Sequence, residues 1–451
     1  MTVAFVSLGC DKNLVDSEHM LGMLHKAGFS LISDEAAAEV LVVNTCCFIE
    51  DAKQESIEQI LDVAEYKKIG NCKALIVTGC MAQRYKEEIL TEMPEIDAVI
   101  GTTSYDKIAE VAKQILEVKG VAIQQFEEIN KPHLEEMPRI LTTPGYFAYV
   151  KIAEGCDNKC TYCVIPSLRG KFRSRPQIQI LKEVQKLAKD GVTEIILVAQ
   201  DTTMYGHDLN NNESLAKLIH ELSKIEGIQW IRILYCYPEN ITDELIEQIR
   251  TNDKVCKYLD MPIQHCADSI LKRMARKSSN KQLRETITKL RTAVPNIALR
   301  TTLIVGFPGE TKQDFKELCD FVADIKFDRL GVFTYSQEEG TPAANMPNQI
   351  DEETKQEREE IIMEIQSEVV SQLAHDKINT VMTVVVDYKL ADEDVYSCRT
   401  YQDAPDVDSE VFIDYEGELL SGDFINVKIK NSVGYYLTGE VIEKILSTTP
   451  T

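Results

Sequence analysis

The stretch Glu154-Gly155-Cys156-Asp157-Asn158-Lys159-Cys160-Thr161-Tyr162-Cys163 spaces three cysteines as Cys-x3-Cys-x2-Cys, directly after an apolar run from Tyr146 to Ile152. Three thiolates this close together can hold three irons of a cubane iron–sulfur cluster. No fourth cysteine follows nearby, so one iron is left without a protein ligand. An iron with a free position can chelate the amino and carboxylate groups of a bound molecule. The spacing therefore predicts a cluster that takes part in chemistry.

A structural zinc site is the simpler alternative for three closely spaced cysteines. Zinc in such a site takes four Cys or His ligands at short spacing. After Cys163, the next residues of either type are His207 and Cys236, far along the chain. The spacing and its context therefore favour the cluster.

The composition is that of a cytosolic protein with several domains. A chain of 451 residues exceeds one typical domain, and two to four domains are expected. It has no run of 18 or more apolar residues and no signal peptide, so we expect it in the cytosol and not in a membrane. In that compartment, 13 cysteines indicate metal or redox chemistry rather than disulfides.

The charge balance is strongly acidic. The formal net charge is −24, from 73 Asp and Glu against 49 Lys and Arg. Nucleic-acid phosphates are bound mainly by Lys and Arg, so this balance argues against a nucleic-acid substrate and for a basic partner. The alternative is that the charge serves solubility alone.

Residues 1–120 predict a first domain with an open α/β sheet. Three short, β-branched runs each end in a cysteine, and amphipathic stretches at about 14–28 and 50–68 separate them. The cysteines are Cys10, Cys46 and Cys80. Because sites in such sheets form at the carboxyl ends of parallel strands, we expect the three thiols to converge and hold a second cluster. The alternative is three buried structural cysteines.

Two other cysteines in this domain compete for the same role. Cys47 is adjacent to Cys46, and Cys46 is preferred because Asn44-Thr45-Cys46 places it directly at the turn. Cys72 precedes its strand and is expected at the opposite end of the sheet.

Residues 145–377 predict a second domain, after a linker at 121–144 that contains Glu135, Glu136 and three prolines. Strand-like runs near 146–152, 194–200, 229–236, 258–264, 298–305 and 329–335 alternate with helical ones. Six such units predict a partial parallel barrel with its active site at the carboxyl ends of the strands. The cysteine loop follows the first of these strands. Residues 351–377 predict a long helix that serves packing.

Residues 378–446 predict a small β-barrel of five strands. Between Lys377 and Lys444 there are six Lys and Arg and fourteen Asp and Glu, a net charge of −8. The acids include Asp392, Asp403, Asp406 and Asp408. A surface of this charge would repel RNA and attract a basic protein.

The cysteine motif at 156–163 resembles the signature of the radical S-adenosylmethionine (SAM) enzymes. A three-cysteine α/β domain before it and a barrel similar to a TRAM domain after it resemble the methylthiotransferases, over nearly the whole chain. Within that family, Gly9-Cys10-Asp11-Lys12-Asn13 resembles the branch that modifies a ribosomal protein. The tRNA-modifying branch typically has Gln-Met-Asn after the first cysteine.

The resemblance implies a specific reaction and cofactor set. The chain would add a methylthio group to the β-carbon of an aspartate in protein twelve of the small ribosomal subunit. Cys156, Cys160 and Cys163 would hold the 4Fe-4S cluster that cleaves SAM to a radical. The first-domain cysteines would hold an auxiliary 4Fe-4S cluster that presents sulfur. A flavodoxin or ferredoxin would supply electrons, and no nucleic acid would be a direct substrate.

The resemblance also places polar residues at the strand ends around SAM. Gln200, Asp201 and Gln264 would contact its amino-acid end, and the turn at Gly306 would let adenine approach the backbone. Arg300 and Thr302, in the fifth strand, would complete the pocket. Each of these residues can equally be a loop cap, and His265 can be either a general base or a hydrogen-bonded loop histidine.

Two alternative functions remain at this point. The first is a tRNA methylthiotransferase with the same chemistry, which the charge and the Asp11-Lys12-Asn13 segment disfavour. The second is a non-catalytic metal-binding scaffold that recruits partners through its acidic barrel. Cleavage of SAM separates an enzyme from a scaffold.

Overall fold

The computed structural model describes residues 1–118, 120–132, 137–209, 212–391 and 393–445. The acids Glu135, Glu136 and Asp392 lie outside the described residues, as does the predicted end of the last domain at residue 446. Within the described ranges, no helix is long and apolar enough to cross a bilayer.

The β-branched runs at the start of the chain form one parallel sheet of six strands, in the order β2-β1-β3-β4-β5-β6. The strands are β1 (Thr2–Ser7), β2 (Ser30–Leu31), β3 (Val40–Thr45), β4 (Ala74–Gly79), β5 (Ala98–Ile100) and β6 (Ile123–Gln125). The helices are α1 (Asp11–Lys26), α2 (Glu50–Ala64), α3 (Tyr66–Ile69), α4 (Cys80–Tyr85), α5 (Glu87–Glu92) and α6 (Ile108–Glu117). Strands β3 and β4 are buried throughout, because helices cover both faces of a central parallel strand.

Strand β6 lies inside the segment assigned to a linker from the sequence. It pairs with β5 through Ala98 and Ile123, so the first sheet extends beyond residue 120. Further along, the backbone N–H of Ile140 donates to the carbonyl of Glu18 on α1 at 3.1 Å. Charged residues and prolines suggested a loose connection, but hydrogen bonds hold both of these parts against the first domain.

The second domain contains the six parallel strands of a partial barrel, in two sheets ordered β11-β10-β7 and β12-β13-β14. The strands are β7 (Phe147–Lys151), β10 (Glu194–Val198), β11 (Trp230–Ile233), β12 (Tyr258–Asp260), β13 (Ala298–Val305) and β14 (Arg329–Thr334), and the short pair β8 (Ala153–Glu154) and β9 (Arg173–Ser174) flanks the cysteine loop. The helices are α7 (Ile165–Arg169), α8 (Gln177–Lys189), α9 (Leu215–Leu222), α10 (Asp243–Thr251), α11 (Asp268–Arg273), α12 (Asn280–Ala293), α13 (Lys312–Ile325) and α14 (Glu352–His375). The predicted partial barrel is confirmed.

The last strands close into a barrel ordered β15-β16-β17-β19-β18. They are β15 (Val381–Lys389), β16 (Val395–Thr400), β17 (Val411–Asp414), β18 (Phe424–Val433) and β19 (Tyr436–Ile445). The rings of Trp230 and Phe424 meet edge to face at 4.8 Å, which joins this barrel to β11. The predicted small barrel is confirmed.

Buried ion pairs also join the small barrel to the second domain. Arg399 Nη2 lies 2.9 Å from Glu194 Oε2, and Glu194 also binds Arg232 at 2.9 Å. Asp403 pairs with Arg329. Asp408 pairs with Arg300, and both carboxylates have side chains only 2–3% exposed.

The expectation that Asp403 and Asp408 form an acidic outer surface is therefore wrong. Each carboxylate is buried where a half-buried arginine of the partial barrel neutralises it across the junction. Of the acids in that segment, Asp406 is exposed, as are Asp414, Glu416 and Glu418 further on. The surface charge of the barrel thus comes from a smaller set of acids than its composition indicates.

Candidate active site

The loop from Cys156 to Cys163 is held by hydrogen bonds within it and to neighbouring segments of the chain. The Cys156 N–H donates to the carbonyl of Gly170 at 3.1 Å, and the Asn158 N–H donates to Cys156 Sγ at 3.4 Å. The thiols are close enough for their charges to repel: both Cys156 and Cys160 raise the pKa of Cys163. Burial is the larger cause, and it raises the pKa of Cys163 to about 12 and that of Cys156 to about 11.

Two of the predicted SAM contacts lie beside this loop. Asp201 is fully buried, and its Oδ2 accepts a hydrogen bond from Asn158 Nδ2 at 3.0 Å. It therefore braces the cysteine loop, and burial raises its pKa. Gln200 Nε2 donates to Glu154 Oε1 at 2.9 Å, while Gln200 Oε1 is buried without a hydrogen-bond partner in the described part of the chain.

An arginine beside the same loop was missed from the sequence. The Tyr237 hydroxyl lies 3.7 Å from Cys160 Sγ, and the Arg276 guanidinium stacks on the Tyr237 ring at 4.2 Å. Arg276 is 8% exposed, and its Nε has no hydrogen-bond partner among the described residues. A buried cation with an unused donor next to a cysteine loop is suited to binding a carboxylate. Its loop position after α11 gave no periodic or motif signal.

The first-domain cysteines meet at the carboxyl ends of β1, β3 and β4, as predicted. Cys80 and Cys10 both raise the pKa of Cys46, because their charges lie near it; burial is the larger cause and brings it to about 12. Cys10 is exposed, whereas Cys46 and Cys80 are buried. The site is therefore open on one side.

Gly9 lets two of these cysteines approach. Its φ is +90°, and a Cβ added there would lie 2.8 Å from Cys46 Cβ and 3.0 Å from Cys46 Sγ. A side chain at this position would separate the Cys10 turn from Cys46. Glycine is thus required by the close approach itself.

Cys46 and Cys47 are both candidates to bind one cluster together with Cys10 and Cys80. Cys46 interacts with both Cys80 and Cys10, whereas the interactions of Cys47 are with Cys80, Arg84 and Cys46. Cys47 is also fully buried, in the same apolar core that contains Cys80. The choice of Cys46, made from its turn position, stays a prediction.

The remaining predicted contacts are divided between the site and other parts of the fold. Gln264 has φ +70° and its backbone pairs with Thr302 and Ile304, so its loop is held against β13. Gly306 donates its N–H to Glu310 at 2.6 Å, and a Cβ there would lie 2.3 Å from Lys355 Cγ. Packing of Lys355 explains this glycine without a bound adenine.

Arg300 is not brought to the cysteine loop. Its Nη1 lies 2.9 Å from Asp260 Oδ1, and its Nε lies 3.4 Å from Asp408 Oδ1 of the small barrel. Arg300 lies in the fifth strand as predicted. The sequence could not show that Asp408 of the last barrel would bind its guanidinium. We therefore leave Arg300 out of the SAM site.

His265 is a buried structural histidine. Its Nδ1 accepts the Ala267 N–H at 3.0 Å, and burial lowers its pKa to about 3. The ring is therefore neutral at physiological pH, and a group that takes up a proton only near pH 3 is a poor general base there. Of the two alternatives for this residue, the hydrogen-bonded loop histidine fits.

Each donor set consists of three cysteine thiols, the ligand type that holds iron–sulfur clusters in proteins. In the described ranges, no three Cys, His, Asp or Glu side chains are close enough to hold one ion. A tetrahedral zinc site brings its ligands together within about 2.3 Å of one atom. A cubane takes its cysteine sulfurs at separate corners, so its ligands need not meet at one atom.

Three family models match the three parts of the chain. The uncharacterized protein family UPF0004 matches residues 2–101, the radical SAM superfamily matches residues 150–322, and the TRAM domain matches residues 378–442. A solved structure of the radical SAM methyltransferase TsrM from Kitasatospora setae shares the fold. Its TM-score is 0.56 at 11% identity, covering 88% of this chain and 80% of that one.

Curated relatives match almost end to end. The ribosomal protein uS12 methylthiotransferase RimO of Lachnoclostridium phytofermentans is 50% identical over 97% of this chain and 99% of that one. Proteins of the same name from Clostridioides difficile and Clostridium botulinum are 49% and 52% identical, over 99% and 98% of this chain and 100% and 98% of theirs. With the radical SAM domain and both cysteine sets in place, the chain belongs to the RimO family of radical SAM methylthiotransferases.

Proposed function

We propose that this chain attaches a methylthio group to the β-carbon of an aspartate in ribosomal protein uS12. The observation that carries the proposal is the match to uS12 methylthiotransferases at about half identity over 97–99% of the chain. The site supports it, because two separate three-thiol sets lie at the carboxyl ends of two neighbouring parallel sheets. The aspartate and its β-carbon are inferred from the family resemblance.

The two thiol sets divide the work between the domains. We assign one 4Fe-4S cluster to Cys156, Cys160 and Cys163, and an auxiliary one to Cys10, Cys46 and Cys80. When bound, the clusters and SAM supply radical formation and sulfur transfer, chemistry that no acid–base side chain provides. The protein's contribution is to place the groups and to exclude water from them.

Unused buried polar atoms indicate how the chain holds SAM. Gln200 Oε1 and Arg276 Nε lie beside the loop without hydrogen-bond partners in the described ranges. An amide oxygen suits an ammonium group, and a guanidinium suits a carboxylate. We therefore assign the SAM amino group to Gln200 and its carboxylate to Arg276, and we keep Gln264 and Thr302 as further candidate contacts. Asp201 acts through Asn158, so it positions the loop.

The substrate is a protein rather than a nucleic acid. Supporting this, the last barrel exposes Asp414, Glu416 and Glu418, and the whole chain has a net charge of −24. Such a surface attracts a basic protein and repels RNA phosphates. Electrons would come from a reduced flavodoxin or ferredoxin.

The direct test offers both substrates to one enzyme preparation. The purified, iron- and sulfide-reconstituted chain is incubated with SAM, dithionite and either uS12 or unmodified tRNA. The proposal expects a methylthio group on one aspartate of uS12 and none on tRNA nucleosides, read by mass spectrometry. Modification of tRNA with unmodified uS12 would overturn it in favour of the tRNA alternative. Absence of SAM cleavage would favour the non-catalytic scaffold.

A further inference from the structure

An arginine of the second domain reaches into the cysteine site of the first. Arg169, the last residue of α7, is 2% exposed. Its Nη2 lies 3.6 Å from Cys80 Sγ and also donates to Asn13 Oδ1. The Cys80 thiol lies 3.8 Å from the same Asn13 oxygen. The side chains of Arg169, Asn13 and Cys80 thus form one buried hydrogen-bonded group across the domain boundary.

Asn13 fixes this hydrogen-bonded group relative to Cys10 and Cys46. Its Nδ2 donates to the carbonyls of Leu8 at 3.0 Å and Thr45 at 2.9 Å. These carbonyls lie at the ends of the strands that lead to Cys10 and Cys46. The amide therefore ties two strand ends together, and its oxygen faces Cys80 and Arg169. The arginine is positioned by the same residue that organises the thiols.

The other side of the guanidinium is neutralised. Arg169 Nη1 lies 2.6 Å from Asp16 Oδ2 and 3.3 Å from Glu154 Oε2, and Lys151 binds both carboxylates as well. The two positive charges of these cations balance the two negative charges of the carboxylates, and all four side chains are buried. The Nη2 side of Arg169 is therefore directed at Cys80 in a region where hydrogen bonds and charges act strongly.

We propose that Arg169 sets the reduction potential of the first-domain cluster through its hydrogen bond to the Cys80 sulfur. The inference rests on the proposed function, which places a cluster on Cys10, Cys46 and Cys80. One-electron reduction adds negative charge to such a cluster, so a donor on its ligand sulfur stabilises the reduced form more than the oxidised form. Hydrogen bonds to the sulfurs are among the features that set cluster potentials. Arg169 is a positioning and tuning residue, since it contacts a ligand and not the substrate.

The test isolates the first-domain cluster. The chain carrying Ala at Cys156, Cys160 and Cys163 is reconstituted and titrated with dithionite and redox mediators, with the reduced cluster followed by electron paramagnetic resonance. Arg169→Gln is expected to shift the reduction equilibrium at least about tenfold toward the oxidised form, which corresponds to about 59 mV for one electron. Arg169→Lys keeps the charge without the planar fork, so it is expected to shift less.

Arg139→Gln is the matched control. Arg139 also links the two domains, and its buried side chain binds Glu18 at 2.6 Å and Glu183 at 2.5 Å. Within the part of the chain that the structure describes, its hydrogen bonds and ion pairs reach none of the six cysteines. It is expected to leave the potential unchanged. An unshifted potential in both Arg169 variants, or an equal shift in Arg139→Gln, would overturn the inference.

Failure to bind the iron–sulfur cluster has a different meaning in the Arg169→Gln variant and in its parent. If Arg169→Gln loads no cluster, Arg169→Lys decides: a lower potential supports the inference, and an unchanged one overturns it. If the parent protein with the three alanines binds no cluster, the proposed function itself fails, because the first-domain site does not exist.

Discussion

The buried thiols make metal loading a step that releases protons. Burial raises the pKa of Cys46 and of Cys163 to about 12, so these groups are protonated at neutral pH before a metal binds. Iron binds the thiolate, so each ligand must lose its proton on loading. The sites are therefore built for a group that compensates the buried charge, since an isolated thiolate there would be unstable.

Replacing Cys46 by Ala tests which of two adjacent cysteines is the ligand. In the protein with Ala at Cys156, Cys160 and Cys163, Cys46→Ala is expected to reduce bound iron from one cubane to nearly none. In the otherwise unchanged chain, it should still cleave SAM but form no methylthio product. Iron analysis and product mass spectrometry give both readings.

Cys47→Ala is the control, because it removes the neighbouring thiol from the core and leaves Cys46 beside Cys10 and Cys80. It should keep its iron, at a stability cost of about 1 kcal/mol or less for a small buried group. The reverse pattern, with iron lost only in Cys47→Ala, would show that the ligand was assigned wrongly.

His265 predicts a pH dependence of stability. Its pKa is lowered to about 3 in the fold by burial, with Asp314 opposing and Arg358 adding to the shift, against an ordinary value near 6.5. Between these values the unfolded chain binds a proton that the folded chain does not. Stability from this group is therefore complete above pH 6.5 and is lost as the pH falls toward 3.

His265→Gln should weaken this dependence, because an amide can accept the Ala267 N–H without titrating. The loss of stability between pH 6.5 and pH 5 should be smaller by about 2 kcal/mol in the variant. Urea unfolding at the two pH values measures it. Equal losses in both proteins would mean that the imidazole is not kept neutral by burial.

The positions of the six cysteines in the fold were predictable because each lies at a recognisable point in the chain. Cys156, Cys160 and Cys163 have a local spacing, and Cys10, Cys46 and Cys80 each follow an apolar strand. Arg169, Arg276 and Asn13 were not predictable, because their roles depend on contacts with distant segments. Arg169, for instance, contacts a cysteine 89 positions earlier.

At the scale of elements, the cysteine loop depends on the loop that follows β10. Asp201 accepts hydrogen bonds from Asn158 in the cysteine loop and from Thr203. Removing a buried acceptor leaves its donors unpaired at a cost of about 1–3 kcal/mol. The bracing is therefore large enough to decide whether the loop keeps its shape without a cluster.

Asp201→Ala should weaken cluster retention at Cys156, Cys160 and Cys163. Measured with Cys10, Cys46 and Cys80 replaced by Ala, the variant should lose iron faster than the parent when challenged with a chelator. The control is Asp351→Ala, which removes the amino-terminal cap of α14, where Asp351 accepts from the Thr354 N–H at 2.8 Å. Equal rates of iron loss in Asp201→Ala and its parent would contradict a bracing role.

The positions of most strands and helices followed from the periodicity of the sequence, whereas the pairing of strands at the edges of the sheets did not. Strand β13 matches its predicted bounds at 298–305, because a β-branched run between two polar turns defines both ends. Strand β12 covers only Tyr258–Asp260 of the predicted 258–264, since Pro262 and the φ of +70° at Gln264 end it. Strand β6 was missed because Ile123–Gln125 has little apolar character of its own.

For the whole molecule, charge at the surface and charge at the junctions have different roles. Glu194, Arg399 and Arg232 are buried between the partial barrel and the last barrel, where breaking a pair costs about 3–5 kcal/mol. Composition alone could not separate such acids from exposed ones. Only the exposed acids act on a partner in solution.

Reversing the charge of exposed barrel acids should slow engagement of uS12. Asp414, Glu416 and Glu418 changed to Lys should lower the association rate and reduce its dependence on salt, because exposed charges act over about 8 Å at physiological ionic strength. SAM cleavage without substrate should stay nearly unchanged. The modification rate of uS12 as a function of ionic strength measures the effect.

Glu357, Glu360 and Glu364 changed to Lys provide the control. They are exposed on α14 and give the same change in net charge outside the last barrel. If both triple variants slow equally, overall charge decides and the barrel has no special part. If neither slows at low salt, electrostatic attraction of the substrate is disproved.

The most direct test of the central claim is intact-mass spectrometry of uS12 from cells that lack this chain and are complemented with it or with its Cys46→Ala variant. We predict that uS12 from the deletion strain lacks the methylthio group and that the parent chain restores it on one aspartate. The Cys46→Ala variant should not restore it. Unmodified uS12 in the complemented strain, or full restoration by the variant, would contradict the account of a two-cluster uS12 methylthiotransferase.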